Sequence, residues 1–315
     1  MNFQYSRGHA SVAVVHDASV IFSSPAVVGD YLYLSTGDKR VISLNVTSGE
    51  IQWEHHVSGP IHSSPAVAGN FVYVGLRDGS VISLQKDTGV THWQYKTGNI
   101  VDSSPAVYKG VLYVGGADGR LYALDAATGE DRWNYLTRGR ITSNPAVNQE
   151  VVAVVTEDSN LYIIEVDTGR KRFEFQAFGI AGSPTLHKGL VFISDTSGHI
   201  RAIDWRARDR PFEKTLRNIK IQLFILGFLN HLPRPEGFVW GFQKSHETFV
   251  VTPAVADDTV YIGSSSGTLF ALEESSGTLR WQFKADSSLT TSPSVSGKTV
   301  SVSYTHLTLP TNREV

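Results

Sequence analysis

The chain has 315 residues, 41% of them hydrophobic and 18% charged, with 28 Lys+Arg against 30 Asp+Glu and a formal net charge of −2. That balance excludes both the global basic field of a nucleic-acid binder and the acidic run of a disordered tail. The absence of cysteine excludes disulfides, thiol nucleophiles, Cys-ligated zinc and iron–sulfur clusters. Length alone suggests about two domains. The 28 glycines, the single Met and the richness in Ser, Val and Tyr point instead to an all-β chain with many tight turns. The first residues, MNFQYSRGHASVAVV, lack the basic start, apolar segment and cleavage site of a secretory signal. No run of ~18 apolar residues reads as a spanning helix.

In chain order, Ser11–Val15 reads as a strand that precedes the first full unit and closes the last one. From there one unit is written repeatedly. Pro25, Pro65, Pro105 and Pro145 are spaced by 40, and Trp53, Trp93, Trp133 and Phe173 keep the same step. In the third copy the alternation predicts four strands, Pro105–Tyr108, Val111–Gly115, Arg120–Asp125 and Asp131–Leu136. Gly110, Asp118-Gly119 and Thr128-Gly129 serve the turns between them, because a tight hairpin needs residues that tolerate positive φ. Pro184 opens a fifth copy that runs to Asp204, breaks at Arg206 and resumes near Trp240. A sixth copy covers residues 252–281, and Pro293 starts a seventh. A fixed period near 40 with four short strands predicts a β-propeller of about seven four-stranded antiparallel blades, six recognisable and the last partial, over residues 1–300.

The break in the fifth unit is a separate element, residues 206–235. Pro211 suits the first position of a helix, and Pro233 and Pro235 are expected to stop it, which gives a helix over 211–232. Phe212, Leu216, Ile219, Leu223 and Leu226 form one apolar stripe. Phe224, Ile225, Phe228 and Leu229 fill other faces, so the second half is expected to be buried. Arg201, Arg206, Arg208, Arg210, Lys214, Arg217 and Lys220 against Asp204, Asp209 and Glu213 give 7 − 3 = +4 locally. Two readings stay open: the helix folds back over the propeller, or Arg206, Arg210, Lys214, Arg217, Lys220, Leu223, Phe224 and Phe228 meet a membrane surface or a partner.

The pattern Ala-x-Asp-x-x-Thr-Gly-x-x-x-Trp is complete at Ala123, Asp125, Thr128, Gly129 and Trp133. It recurs with substitutions at Ser43/Gly49/Trp53, Ser83/Gly89/Trp93, Ile163/Gly169/Phe173 and Ala271/Gly277/Trp281. It resembles the tryptophan-docking motif of the PQQ-like (pyrroloquinoline-quinone enzyme) repeat. The resemblance implies that Trp53, Trp93, Trp133, Phe173, Trp240 and Trp281 wedge between adjacent blades against the turns bearing Gly49, Gly89, Gly129, Gly169 and Gly277. Residues 301–315, SVSYTHLTLPTNREV, depart from the repeat and resemble translated sequencing adaptor. The last blade is therefore expected to lack its second and third strands.

Three functional classes follow. A quinone-dependent dehydrogenase would need Ca²⁺ and cofactor ligands, and none of those motifs can be matched residue by residue. No catalytic, cofactor-binding or metal residue is therefore assigned. His55 and His56 are neighbours on a strand and point to opposite faces. Asp78, Asp118 and Asp158 recur in register and read as Asx turns rather than Ca²⁺ ligands. Asn45-Val46-Thr47 is a glycosylation sequon. Ser63/Ser64 and Ser103/Ser104 are read mainly as stabilising the crossing loops. Among propellers without cofactor residues the chain looks most like the BamB-type lipoproteins of the outer-membrane β-barrel assembly machinery. That resemblance implies a non-catalytic cell-envelope scaffold, on the periplasmic side, that contacts protein partners through loops on one face and binds no nucleic acid. A ligand-sensing propeller within a larger protein is the alternative.

Overall fold

The computed structural model describes residues 23–303, apart from residues 178, 180, 181, 210, 211, 232 and 298. Ser11–Val15 and residues 304–315 therefore lie outside the described residues. The chain forms two compact units, residues 1–147 and 148–315.

In the first unit each 40-residue segment becomes one antiparallel sheet whose strands pair in chain order. The first sheet comprises Ala26–Val28, Tyr31–Thr36, Arg40–Asn45 and Ile51–His56. The second comprises Ala66–Ala68, Phe71–Gly75, Ser80–Gln85 and Thr91–Lys96. The third comprises Ala106–Tyr108, Val111–Gly115, Arg120–Asp125 and Asp131–Leu136. Ala146–Val147 opens the fourth sheet, which the second unit continues with Val151–Val155, Asn160–Glu165 and Lys171–Gln176. The fifth sheet is Thr185–His187, Leu190–Ser194, His199–Asp204 and Phe238–Gln243; the sixth is Ala254–Ala256, Thr259–Gly263, Thr268–Glu273 and Leu279–Lys284. Ser294–Ser296 and Thr299–Ser301 pair as a two-stranded sheet. The second strand expected to be missing from the seventh unit is thus present, though only three residues long. Its apolar Val300 packs toward Leu289 and supplies the reason to pair.

The two middle strands of each sheet are apolar on both faces and buried on both, as Val111–Gly115 shows along its whole length. The fourth strand alternates in four of the six full sheets, as where Asp131–Leu136 keeps Trp133 and Tyr135 half-buried between exposed neighbours. Each fourth strand also carries one extra residue. In the third sheet Ala123 faces Trp133 while Leu124 faces Asp131, leaving Arg132 bulged. The same shift occurs at Ser43/Leu44, Ser83/Leu84, Ile163/Ile164, Ala202/Ile203 and Ala271/Leu272. A bulge bends its strand and re-aims a side chain. Here it falls next to the aromatic in every full sheet.

Hydroxyl and amide side chains link successive sheets at the entry to each first strand. In the first unit the Ser24 amide donates to Ser64 Oγ at 2.9 Å, the Ser64 amide to Ser104 Oγ at 2.8 Å, and the Ser104 amide to Asn144 Oδ1 at 2.7 Å. In the second unit the Ser183 amide donates to Thr252 Oγ1 and the Thr252 amide to Ser292 Oγ. The backbone here is leaving one sheet for the next and has no ladder partner, so the side chain of the following repeat satisfies it. Replacing Ser104 by Ala removes the acceptor of the Ser64 amide. The expected outcome is a loss of about 1–2 kcal/mol in urea unfolding, with an unchanged denaturant slope.

Candidate functional site

The motif's chemistry is clearest in the third sheet. Asp125 Oδ1 accepts hydrogen bonds from the amides of Ala127 and Thr128 at 2.9 and 3.0 Å, and Thr128 Oγ1 accepts from the amide of Glu130. These caps fix a turn whose Gly129 sits at φ +77. A side chain there would collide with Trp93 of the preceding sheet, since a Cβ would lie 2.7 Å from its ring. Trp93 Nε1 then donates to the Ala126 carbonyl at 3.0 Å, and the Tyr73 hydroxyl donates to the same oxygen at 2.9 Å. Burial, with the Asp125 charge adding to it, pushes the Tyr73 phenol up to about 12.

The geometry repeats with its details intact. Trp53 packs on Gly89 and donates to the Lys86 carbonyl at 2.8 Å; Trp240 packs on Gly277 and donates to the Glu274 carbonyl at 2.7 Å. Each indole also leans on an aromatic of its own sheet, at 6.0 Å for Tyr33–Trp53, 5.8 Å for Tyr113–Trp133 and 5.9 Å for Phe192–Trp240. Phe173 has no N–H to donate and is fully buried. It meets Gly237, a position the repeat pattern does not mark, because the insertion opens the turn and moves the accommodating glycine one place along the strand. Trp281 packs against Tyr261 but stays 37% exposed, and no docking turn follows it among the described residues. Gly49 and Gly169 also adopt positive φ, of 72 and 66.

The turn carboxylates make local hydrogen bonds. The Ser80 amide donates to Asp78 Oδ1 at 2.8 Å and the Arg120 amide to Asp118 Oδ1 at 3.0 Å. Burial raises the Asp78 carboxyl, but hydrogen bonds from Ser58 and Ser80 and the Lys96 charge outweigh it and hold it below the ordinary range. Among the described residues no group of three or more His, Asp or Glu side chains converges on a common point.

One charged cluster has no counterpart in the other sheets. Asp195 is fully buried where the second sheet has Leu76, and it accepts from Arg201, from His199 Nδ1 at 3.2 Å and from the amides of Ser197 and His199 at 2.9 Å. An acid and, six places on, an Arg, both at positions that are uncharged in the other full sheets, with a His between them, was the available signal. A 40-residue period does not register it.

The insertion leaves the fifth sheet through a pinned entry. Lys171 holds Asp209 at 2.8 Å and Glu174 at 2.9 Å, and the Asp209 amide donates to the Arg172 carbonyl. Burial alone would lower the Lys171 ammonium, yet those two carboxylates hold it above its usual value. Trp205 lies between the Arg172 and Arg206 guanidinium groups, 5.5 and 5.3 Å from its ring. A cavity of about 590 Å³ opens at this root, where Arg206 and Arg208 are balanced by Asp204 and Glu236.

The helix itself spans Glu213–Ile225, shorter than the expected 211–232. Gly227 stops it at φ +81, with the Gly227 amide donating to the Phe224 carbonyl and the Phe228 amide to the Leu223 carbonyl. That pair of bonds is a Schellman cap, which ends a helix before any proline is reached. The expected burial of its second half is also corrected, since Ile225, Leu226 and Phe228 are exposed. Nor does the stripe fold back: Phe212, Leu216, Ile219 and Leu223 face solvent, while Arg217, Ile221 and Phe224 are half-buried. Arg206 and Lys220 are exposed; Arg210 and the side chain of Lys214 lie outside the described residues. No helix among the described residues is long and apolar enough to cross a membrane.

A family model described as outer membrane protein assembly factor BamB matches residues 10–210 and 236–308. The chain belongs to this family. The interval the BamB model skips coincides with the helical insertion. The crystal structure of BamB from Moraxella catarrhalis is similar to the chain at TM-score 0.72 and 20% identity, covering 93% of this chain and 86% of that one. The computationally designed Ika8 protein is similar at TM-score 0.59 and 15% identity, covering 93% of this chain and 95% of that one. The fold is thus a PQQ-repeat β-propeller with six four-stranded blades, a partial seventh and one helical insertion in the fifth. A search of curated proteins found no match.

Two outcomes test the docking geometry. Gly110 and Gly129 both have positive φ, but only Gly129 faces an indole. Gly110→Ala is expected to cost about 1–2 kcal/mol of backbone strain, and Gly129→Ala clearly more. Trp93→Ala costs about 3–5 kcal/mol, and the double variant falls short of the sum in a denaturation cycle because the clash has gone. The second concerns pH. The Arg132 hydrogen bond, then the turn amides against a smaller burial cost, hold the Asp125 carboxyl below its usual value. A depressed folded value means the carboxylate stabilises the fold above about pH 4 and loses that contribution as pH falls through the folded value. Melting temperature should therefore fall on acidification below that point, with a shallower slope in Asp125→Asn.

Proposed function

We propose that the chain is a non-catalytic scaffold of the bacterial cell envelope that serves outer-membrane protein assembly by binding protein partners through the loops of its propeller. The observation that carries this reading is the BamB family match, which runs through residues 10–210 and resumes at 236–308, so it spans the repeats on both sides of the insertion. The likeness to the Moraxella catarrhalis BamB fold supports it. Sheets locked by buried aromatics hold their connecting loops in fixed positions, as a protein-docking surface requires. The reading places the chain on the periplasmic side of the envelope and assigns it no cofactor and no reaction.

Complementation tests the reading. Exported to the periplasm of a bacterium lacking its own BamB, the chain should restore the level of outer-membrane β-barrel proteins and co-purify with the assembly machinery. A folded, correctly exported chain that restores nothing and retains no partner would overturn the proposal. Saturable dye reduction after reconstitution with quinone and Ca²⁺ would replace it with an oxidoreductase.

A further inference from the structure

The helix Glu213–Ile225 presents an apolar stripe that nothing in the described residues covers. Phe212 is 79% exposed, Leu226 67%, Leu216 54% and Ile219 51%, with Leu223 between them and Phe228, 74% exposed, just past the cap. Five of these follow the 4-3-4-3 spacing of one helix face, so they form a continuous strip rather than scattered surface residues. Beside the strip, Lys220 is exposed on one flank and the neutral Thr215, Asn218 and Gln222 lie on the other, while Arg217 shares the half-buried side with Ile221 and Phe224. Among the described residues neither Arg217 nor Lys220 takes part in an ion pair. From Arg206 to Arg234 the sequence carries seven Lys+Arg (206, 208, 210, 214, 217, 220 and 234) against Asp209 and Glu213, a net of 7 − 2 = +5 in a chain whose total is −2.

We infer that this helix is an interfacial element that lies flat on an anionic phospholipid surface. Its Phe, Leu and Ile stripe enters the headgroup–acyl boundary, and Lys220 sits among the phosphates. Thirteen residues make a helix of about 20 Å, too short to span and suited to lying in the interface plane. The half-buried side bearing Arg217, Ile221 and Phe224 is turned away from the stripe, so the stripe can be offered without unfolding anything. Charge selects lipid over a second copy of the chain. An antiparallel pair of these helices would set the two Lys220 ammonium groups on the same side of the seam, where they repel, whereas a phosphate surface complements them. The inference does not rest on the scaffold reading, because the family match omits this segment.

Vesicle co-sedimentation of the full chain tests it. The chain should sediment with phosphatidylcholine vesicles containing phosphatidylglycerol, far less with phosphatidylcholine alone, and progressively less as salt rises. Leu216→Asp/Ile219→Asp/Leu223→Asp should abolish binding to both. Lys220→Glu should weaken binding to the anionic vesicles by about tenfold, since a cation near such a surface contributes roughly 1 kcal/mol and the new carboxylate is repelled as well. All these positions are on the exposed or half-exposed helix surface, and an unchanged far-UV spectrum and melting temperature confirm that the variants fold. The inference is overturned if the parent chain ignores anionic vesicles or if the triple variant binds as well as the parent. It is also overturned if light scattering shows a dimer that the triple variant dissolves, which would give the stripe to a second copy. Complementation by the parent chain is unaffected by any of these results, so the two proposals fail separately.

Discussion

The structure depends on an aromatic ring seated where a β-carbon is impossible. Trp53, Trp93 and Trp240 each occupy the space that a side chain at Gly89, Gly129 or Gly277 would need, and each donates its indole N–H to a carbonyl of the same turn. Both requirements fall on one short segment, which must hold left-handed backbone at the glycine and present a carbonyl a few residues earlier. The capping carboxylate, amide or carbonyl at the start of the turn secures that geometry, as Asp125 does for Gly129. The motif is therefore a single mechanical joint. Its repeated letters are the parts of a socket, and the bulge opposite Ala123 aims the Trp93-type ring toward the next one.

A second, weaker set of contacts works at the other edge of each sheet. The Ser, Thr and Asn side chains that accept amides 40 residues upstream tie the first strands together in the same stepwise manner as the indoles tie the fourth. The two sets differ in energy scale. A buried indole contributes several kcal/mol through area and packing, whereas each hydroxyl bond adds about 1 kcal/mol. Burial of the aromatic therefore governs cohesion between sheets, and the polar ladder fixes register. The Asp195–Arg201–His199 cluster belongs to neither set; a buried ion pair of this kind repays its desolvation only through full hydrogen bonding, and Asp195 has four donors.

Almost all of the sheet architecture was legible in the sequence because the constraint is periodic. Pro, Asp-Gly, Thr-Gly and Trp recur at fixed offsets, and each has a local physical cause that one repeat alone reveals. What the period could not reach was the non-repeated part. Reading proline as the stop of the inserted helix overlooked Gly227, whose left-handed φ closes the cap earlier. Counting apolar residues on every face led to expected burial, although Ile225, Leu226 and Phe228 stand in solvent. Gly237 was missed for a related reason: the pattern fixes the glycine four places before the Trp, and the insertion shifts it to three. Sequence alone also left fold-back and an outward-facing surface as open alternatives, since amphipathicity reports that a face wants covering but not what covers it.

The site of the insertion follows from the joint. The turn between third and fourth strands has its ends held by contacts independent of its length. In the fifth sheet the Asp204 amide still donates to the Gly237 carbonyl at 2.7 Å, as the Asp125 amide donates to Glu130 at 2.8 Å across an uninterrupted turn. Chain added between those two points changes neither the Ala202–Trp240 pairing nor the seat of Trp240 on Gly277. Loop length itself costs little when the ends are already closed. A helix placed there adds nothing to the packing of the sheets, and its largest apolar side chains face away from them. Whatever maintains such a surface must lie outside the propeller's own stability.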